Sequence, residues 1–320
     1  MKVAVVIPCF NEQEVLPELF RRMTAAAEKW PCDWEIVCID DGSRDATWPL
    51  LVAQQKRDSR WRALSFARNY GHQTAVSAGI HHASGDAVMV IDADLQDPPE
   101  EMVRFIEKWR EGFEVVYAIR QKRKEGWPKK AAYWLFYRMM HRAVAFDVPQ
   151  DSGDFCLMDR RVVEVLKRMP ERNRFVRGLR AWAGFRQVGL TYERHARAAG
   201  EAKYDFRRLF KLARDGIFSF STVPLGLVSY AGLWISVFAF LGIIWILLTR
   251  IFSGFFSKIG FPPVQGFATI VVSVLFLGGI QLISLGIMGE YIGRIYEEVK
   301  RRPIWVIRDS AGIDPLESPE

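Results

Sequence analysis

Over its first 200 residues the chain alternates between two hydrophobic periods. Short apolar runs rich in β-branched residues occupy 3–7, 36–39, 63–66, 87–91 and 115–118, with the length and composition of buried strands. Between them, 14–29, 46–57, 73–83 and 99–111 space their apolar residues as helices do, and Pro99 after Asp97 marks a helix start. This alternation predicts an α/β fold with a mainly parallel sheet and right-handed crossovers. Ligands of such sheets bind beyond the carboxyl ends of the strands. Polar residues gather at those points: Asn11-Glu12 after the first run, Asp40-Asp41-Gly42-Ser43 after the second and Arg68-Asn69 after the third. Asp92-Ala93-Asp94 follows the fourth, and Arg120 the fifth.

Past residue 200 the pattern changes. No charged residue lies between Asp215 and Arg250, nor between Lys258 and Glu290, and each interval exceeds the ~20 apolar residues that cross a bilayer. The predicted spans are 225–248 and 267–288. Arg207, Arg208, Lys211 and Arg214 precede the first, and Arg294, Lys300, Arg301 and Arg302 follow the second, while the connecting loop holds Arg250 and Lys258. Basic residues favour the cytoplasmic side, so both termini are expected in the cytoplasm. Just before the first span, Phe206, Leu209, Phe210, Ala213, Ile217 and Phe220 recur at helical spacing with basic residues between them. That is the pattern of an amphipathic helix lying among anionic headgroups. The domain plan is therefore 1–200 for a cytoplasmic α/β domain, 201–222 for the juxtamembrane helix, 223–292 for two spans and 293–320 for a cytoplasmic tail. Within that tail, 309–320 holds two prolines and four acids and reads as disordered.

The chain has 320 residues, half of them hydrophobic, which excludes a disordered protein. Four cysteines (Cys9, Cys32, Cys38, Cys156), none in a CxxC pair, exclude a disulfide scaffold and give no support to a zinc site. They read as buried thiols in a reducing compartment. Met1-Lys2 runs straight into a strand pattern, with no signal peptide in view. The net charge of +7 suits nucleic acid, anionic lipid or a phosphorylated substrate equally well.

Asp92-Ala93-Asp94-Leu95-Gln96 narrows the choice. Two carboxylates two residues apart beyond a strand suit a hard divalent cation, Mg²⁺ or Mn²⁺, that keeps positions open for phosphate oxygens. With Asp40-Asp41 beyond the second strand, the pair points to a nucleoside-diphosphate site. No GxxxxGK[ST] is present and no GxGxxG follows a strand, which removes P-loop and dinucleotide readings. His81 and His82 have no third ligand nearby and read as surface residues; His72, at a helix start, is a donor or a cap.

VVIPCFNEQE, CIDDGSRDAT, SFARNYGHQTAVSAGIHHASGD and VIDADLQDPPE together resemble family-2 glycosyltransferases with the glycosyltransferase A fold, a Rossmann-like α/β architecture. The second half carries GDFCLMDRRVVE, MPERNRFVRG, RAAGEAKY, FSFSTVPL and LFLGGIQLISLGIMGEYIGRIYEEVKRRP. It is similar to bactoprenol (undecaprenyl-phosphate) glucosyltransferases of the O-antigen-modification type; dolichyl-phosphate mannose synthases are similar over the soluble part. The resemblance covers residues 1 to about 307.

It implies that Pro8, Phe10 and Glu12 line a nucleobase pocket and that Asp41 hydrogen-bonds the base. Asp92 would touch the sugar diphosphate and, with Asp94 and Gln96, the metal. Arg120 would face the donor phosphates and Arg138 the acceptor phosphate. Asp154 would organise acceptor and donor sugar, completing a catalytic set with Asp92 and Asp94. Arg197 and Lys203 match an RxxGxSK element that grips phosphate. Two positions depart from the pattern: Cys156 stands where relatives carry arginine, and Ala202 where they carry serine.

The implied reaction is inverting transfer of a sugar from a UDP-sugar to polyprenyl phosphate at the cytoplasmic face of the inner membrane. Glucose comes first, with N-acetylglucosamine, galactose, mannose and 4-amino-4-deoxy-arabinose behind it. A homo-oligomer is left open. Two other classes compete. A processive polysaccharide synthase would carry QxxRW and more spans, and RAWAGF is no substitute. A membrane-tethered binder of nucleic acid would interleave its basic residues with stacking aromatics, and here they sit beside the spans, so no nucleic-acid partner is expected.

Overall fold

The computed structural model describes residues 1–120, 152–172, 174–193, 223–252 and 266–314. The chain divides into two compact units, one of Met1–Gly216 with Lys300–Glu320 and one of Ile217–Val299.

The first unit is built on a sheet of eight strands in the order β7-β5-β6-β4-β1-β2-β3-β8. Its centre follows the apolar runs: β1 (Lys2–Cys9), β2 (Asp33–Asp40), β3 (Trp61–Phe66) and β4 (Ala87–Val90) pair in parallel. The apolar stretches Val3–Ile7 of β1, Ile36–Ile39 of β2 and Ala87–Val90 of β4 carry side chains on both faces of the sheet, which is covered on both sides. Val3 to Ile7 have no exposed surface at all, and burying each Val or Ile side chain among them contributes about 1.5–3 kcal/mol.

The crossovers are α1 (Leu16–Ala27), α2 (Thr47–Arg57) and α3 (His72–His82), and α4 (Met102–Arg110) follows a short 3₁₀ turn at Pro99–Glu101. Helix α3 lies so close to β1 that a Cβ on Gly79 would stand 2.2 Å from Val6 Cγ1. Glycine is needed there to let helix and strand meet.

The sheet is mainly parallel, as expected, with β6 and the edge strand β8 reversed. β5 (Val115–Arg120) pairs in parallel with β7 (Gln187–Tyr192), but β6 (Ser152–Asp159) runs antiparallel to both β4 and β5. Helices α5 (Arg160–Arg168) and α6 (Val176–Trp182) follow β6. Two other readings are corrected by the structure. His82 is buried, its Nδ1 2.7 Å from the Ala78 carbonyl, because α3 turns that face onto the sheet. And 309–320 is not wholly disordered: Asp309 to Ala311 belong to β8 (Ile307–Ala311), which pairs antiparallel with β3 at the sheet edge.

The second unit holds α7 (Val223–Ile251) and α8 (Phe267–Val299), of 29 and 33 residues. Both are long and apolar enough to cross a bilayer, over Val223–Gly242 and Phe276–Val299. Leu227, Tyr230, Trp234 and Phe238 on α7, and Ile270, Val274, Leu282 and Leu285 on α8, stand exposed. Apolar surface on that scale is what lipid covers. The amphipathic segment 204–220 and the loop 253–260 lie outside the described residues.

Candidate active site

The carboxyl ends of β1, β2, β3 and β4 open into a pocket of about 780 Å³. Of the residues singled out in the sequence, Pro8, Phe10, Glu12, Asp41, Asp92 and Asp94 line it, together with Asn69, Gly71 and His72.

One wall is an interlocked pair of loops. Asn11 adopts a left-handed backbone (φ +55°), its N–H donating to Ser43 Oγ (2.9 Å) and its side-chain carbonyl accepting from Arg44 N–H (2.9 Å). Asn tolerates that conformation better than other side chains. Glu12 N–H donates to Thr47 Oγ1 (2.9 Å), tying the same loop to the start of α2.

Asp41 is buried and accepts from Tyr70 N–H (2.6 Å) and Gly71 N–H (2.9 Å), so it holds the β3–α3 loop against the pocket. Burial nonetheless raises its pKa above the ordinary carboxylate value. Gly42 makes this closeness possible: with φ +69°, any Cβ there would sit 2.5 Å from the Arg68 carbonyl carbon.

The opposite side is acidic. Asp92 Oδ1 is buried and accepts no hydrogen bond, with His72 Nε2 3.6 Å away. Burial pushes the Asp92 carboxyl up to about 6; His72 opposes this, and the charges of Asp154, Asp97 and Asp94 add to it. Asp94 accepts from Gln96 N–H (3.1 Å) in a turn whose middle residue, buried Leu95, is left-handed (φ +56°). A leucine in that conformation costs about 1–2 kcal/mol, strain of the kind stored at functional sites. The Gln96 side chain is not part of the pocket lining.

Asp154, on β6, meets this cluster through His72, whose Nε2 is 3.3 Å from Asp154 Oδ2. Gln73 Nε2 donates to the same oxygen (3.2 Å) and Arg177 Nη2 to Oδ1 (3.3 Å). Burial would raise the Asp154 carboxyl, but Arg177 and His72 overcome it and hold it well below the usual carboxylate range. Burial would likewise lower the His72 imidazolium; its bond to Asp154 and the charge of Asp92 instead push it up to about 9. At neutral pH the site therefore presents an ionised Asp154 with a protonated His72 between it and Asp92.

The sequence placed His72 at a helix start as a donor or a cap without assigning it to the site, and it did not single out Gln73 or Arg177. His72 and Gln73 open the helix after β3, where a parallel sheet places ligand groups, and that position was the available signal. Arg177 had none, because its partner lies on another element. Arg120 ends β5; Arg138, Arg197 and Lys203 lie outside the described residues.

The donor set fits a divalent cation. Asp92 offers a buried oxygen with no hydrogen bond and Asp94 a second carboxylate beside it, hard ligands for Mg²⁺ or Mn²⁺. Among the described residues no three His, Cys, Asp or Glu side chains form a cage of their own. An ion held here would take its remaining ligands from phosphate and water, as Mg²⁺ commonly does.

The family model for glycosyl transferase family 2 matches residues 4–167, which take in this pocket and Asp154. The chain belongs to glycosyltransferase family 2. Relatives match this glycosyltransferase along nearly its whole length. The uncharacterized glycosyltransferase YkcC of Bacillus subtilis is 42% identical over 98% of this chain and 95% of its own. The bactoprenol glucosyl transferase of Shigella phage SfII is 42% identical over 97% and 98%. The prophage bactoprenol glucosyl transferase homolog of Escherichia coli K12 is 41% identical over 96% and 99%. Among solved structures, glucosyl-3-phosphoglycerate synthase from Mycobacterium tuberculosis aligns at 17% identity with a TM-score of 0.46, over 68% of this chain and 77% of that one.

Proposed function

We propose that this glycosyltransferase moves glucose from UDP-glucose to polyprenyl phosphate at the cytoplasmic face of the membrane, inverting the anomeric centre. The observation that carries the reading is the full-length similarity to bactoprenol glucosyl transferases, two long apolar helices included. The pocket supports it. Pro8, Phe10, Glu12 and Asp41 suit a nucleobase at one end, and the Asp92 and Asp94 carboxylates stand at the other for a metal-bound diphosphate. A divalent cation there would neutralise charge building on the leaving diphosphate.

A phosphate monoester acceptor is already an anionic nucleophile, so no base is required to deprotonate it. Asp154, held ionised by Arg177 and His72, acts by orientation: its fixed carboxylate positions the sugar, and His72 offers a proton-bearing nitrogen toward incoming phosphate oxygens. Arg120 is assigned to the donor phosphates and Arg138, Arg197 and Lys203 to the acceptor phosphate. Gln96 acts on the metal through the turn that fixes Asp94. Residues 1–200 form the catalytic domain, 201–222 an interfacial helix that brings the lipid headgroup to it, and 223–292 the anchor, with both termini cytoplasmic.

A panel of nucleotide sugars with polyprenyl phosphate, scored by lipid-linked product, tests this. UDP-glucose should be the preferred donor, and chelation should abolish transfer until Mg²⁺ or Mn²⁺ is restored. Preference for another sugar overturns the assignment of glucose; no lipid-linked product from any donor overturns the reaction.

A further inference from the structure

The segment after the second long helix does more than close the sheet edge. It reaches the wall of the pocket by two routes. One is polar. Pairing between β3 and β8 slips at Ser65/Phe66: Ser65 faces Asp309 and Phe66 faces Ile307, leaving Arg308 as the extra residue of a bulge. Bulges re-aim side chains, and from this one Arg308 Nη2 donates to Ser65 Oγ (3.2 Å). Ser65 spends its own proton on Asp40 Oδ2 (2.7 Å). Asp40 Oδ1 accepts from Ser43 N–H (3.0 Å), and Ser43 Oγ accepts from Asn11 N–H (2.9 Å) on the pocket lining. Ser65 and Asp40 are fully buried, so the hydrogen bond between them is shielded from water, while Arg308 reaches it from the half-exposed edge.

The second route is aromatic. Trp305 is buried and stacks on Phe66 (centroids 6.5 Å apart, planes 13° apart), and Phe66 meets Tyr70 edge-on at 5.6 Å. The Tyr70 N–H is one of the two donors to Asp41. Both routes end on the Asp40-Asp41 pair.

We propose that Arg308 is a positioning residue for nucleotide binding, acting through Ser65 and Asp40 on the loop that carries Asn11. The residues beyond the membrane helices thus form part of the donor half of the enzyme. The proposal rests on reading the pocket as a nucleoside-diphosphate site. Arg308 touches no substrate; by donating to the Ser65 oxygen it fixes the hydroxyl so that its O–H points at Asp40 Oδ2.

The test is calorimetric titration of UDP into the full-length protein in detergent, with parallel kinetics. Arg308→Ala should weaken UDP binding roughly three- to tenfold, the worth of one hydrogen bond in a buried chain, and leave the KM for polyprenyl phosphate unchanged. Arg308→Lys, which keeps charge and reach, should recover most of the loss. Ser65→Ala should weaken UDP binding similarly, and the double variant Arg308→Ala/Ser65→Ala should be no worse than Ser65→Ala alone, because both act through one chain. Should Arg308→Ala not fold, Arg308→Gln carries the same comparison. Wild-type affinity in the Arg308 variant, or strict additivity in the double variant, overturns this proposal alone. A wild-type chain that binds no nucleoside diphosphate overturns the reading of the pocket and this proposal with it.

Discussion

Two carboxylates, Glu35 and Asp92, sit at opposite ends of the same parallel strands and are treated in opposite ways. At the amino ends, Glu35 of β2 is surrounded by donors. Lys2 Nζ and Arg62 Nη1 each lie 2.6 Å from Oε2, and Ser84 N–H lies 2.6 Å from Oε1. Burial would raise its pKa, but these hydrogen bonds and the Arg62 charge bring it below the ordinary value. At the carboxyl ends, Asp92 has a buried oxygen with no hydrogen bond and three other carboxylates acting on it, and its pKa is raised. A fold built for stability alone would satisfy both sites. The difference separates two roles: the Glu35 end joins β1, β2, β3 and the turn before β4, while the Asp92 end leaves a carboxylate oxygen without a hydrogen bond, as the proposed cation site requires.

The comparison is broken most severely by exchanging charge at the two ends. Asp92→Asn should lower transfer by at least about 10²–10³-fold while leaving the melting temperature unchanged or higher, since it removes a carboxylate that burial disfavours. Kinetics and thermal unfolding on one preparation check this; a lost fold alongside lost activity would make Asp92 a structural residue. Glu35→Gln should do the reverse. It leaves Lys2 and Arg62 without their shared anion and should cost about 3 kcal/mol of stability, at the low end for a buried pair because both cations can still reach water. The kcat of the folded fraction should not change. A smaller effect is expected at the second carboxylate of the site. Arg177→Ala releases Asp154 Oδ1 and should lower kcat about tenfold, the scale of one charge-assisted hydrogen bond, with Arg177→Lys between it and wild type.

How much of this was legible in the sequence depended on whether a signal was local. The four central strands announced themselves through short apolar runs, and Asp92 and Asp94 because two acids directly follow one. The Glu35 site had no such signal: its partners come from 33, 27 and 49 residues away and meet only when the strands align. Asp154 was legible by motif, but its pairing with His72, Gln73 and Arg177 was not, for the same reason. β8 was missed because Ile307–Ala311 is a bulged edge strand with three exposed residues in the middle, so it shows no period-2 pattern. His81 and His82 were misread because a helical histidine pair reads as polar, whereas α3 packs this end of itself against Trp305 of the last segment.

That misreading supplies the last prediction, and it separates the two ends of acid sensitivity. Burial, then the charges of His82, Lys167 and Arg174, push the His81 imidazolium down to about 4. Because the unfolded chain protonates His81 near its ordinary 6.5 and the folded chain does not, unfolding takes up a proton between those values. Stability contributed by His81 is thus fully present above pH 6.5, falls as pH drops toward 4, and changes no further below that. Glu35, with its pKa lowered, contributes stability that persists above its ordinary 4.5 and is lost only as pH falls through its lower folded value. The two windows do not coincide. Urea midpoints measured at pH 7.5, 6.5, 5.5 and 4.5 should decline for the wild type, and the decline should flatten in His81→Gln while remaining in Glu35→Gln. An unflattened His81→Gln profile would mean that the imidazole takes its proton inside the folded chain, with α3 and Trp305 opening to water around it.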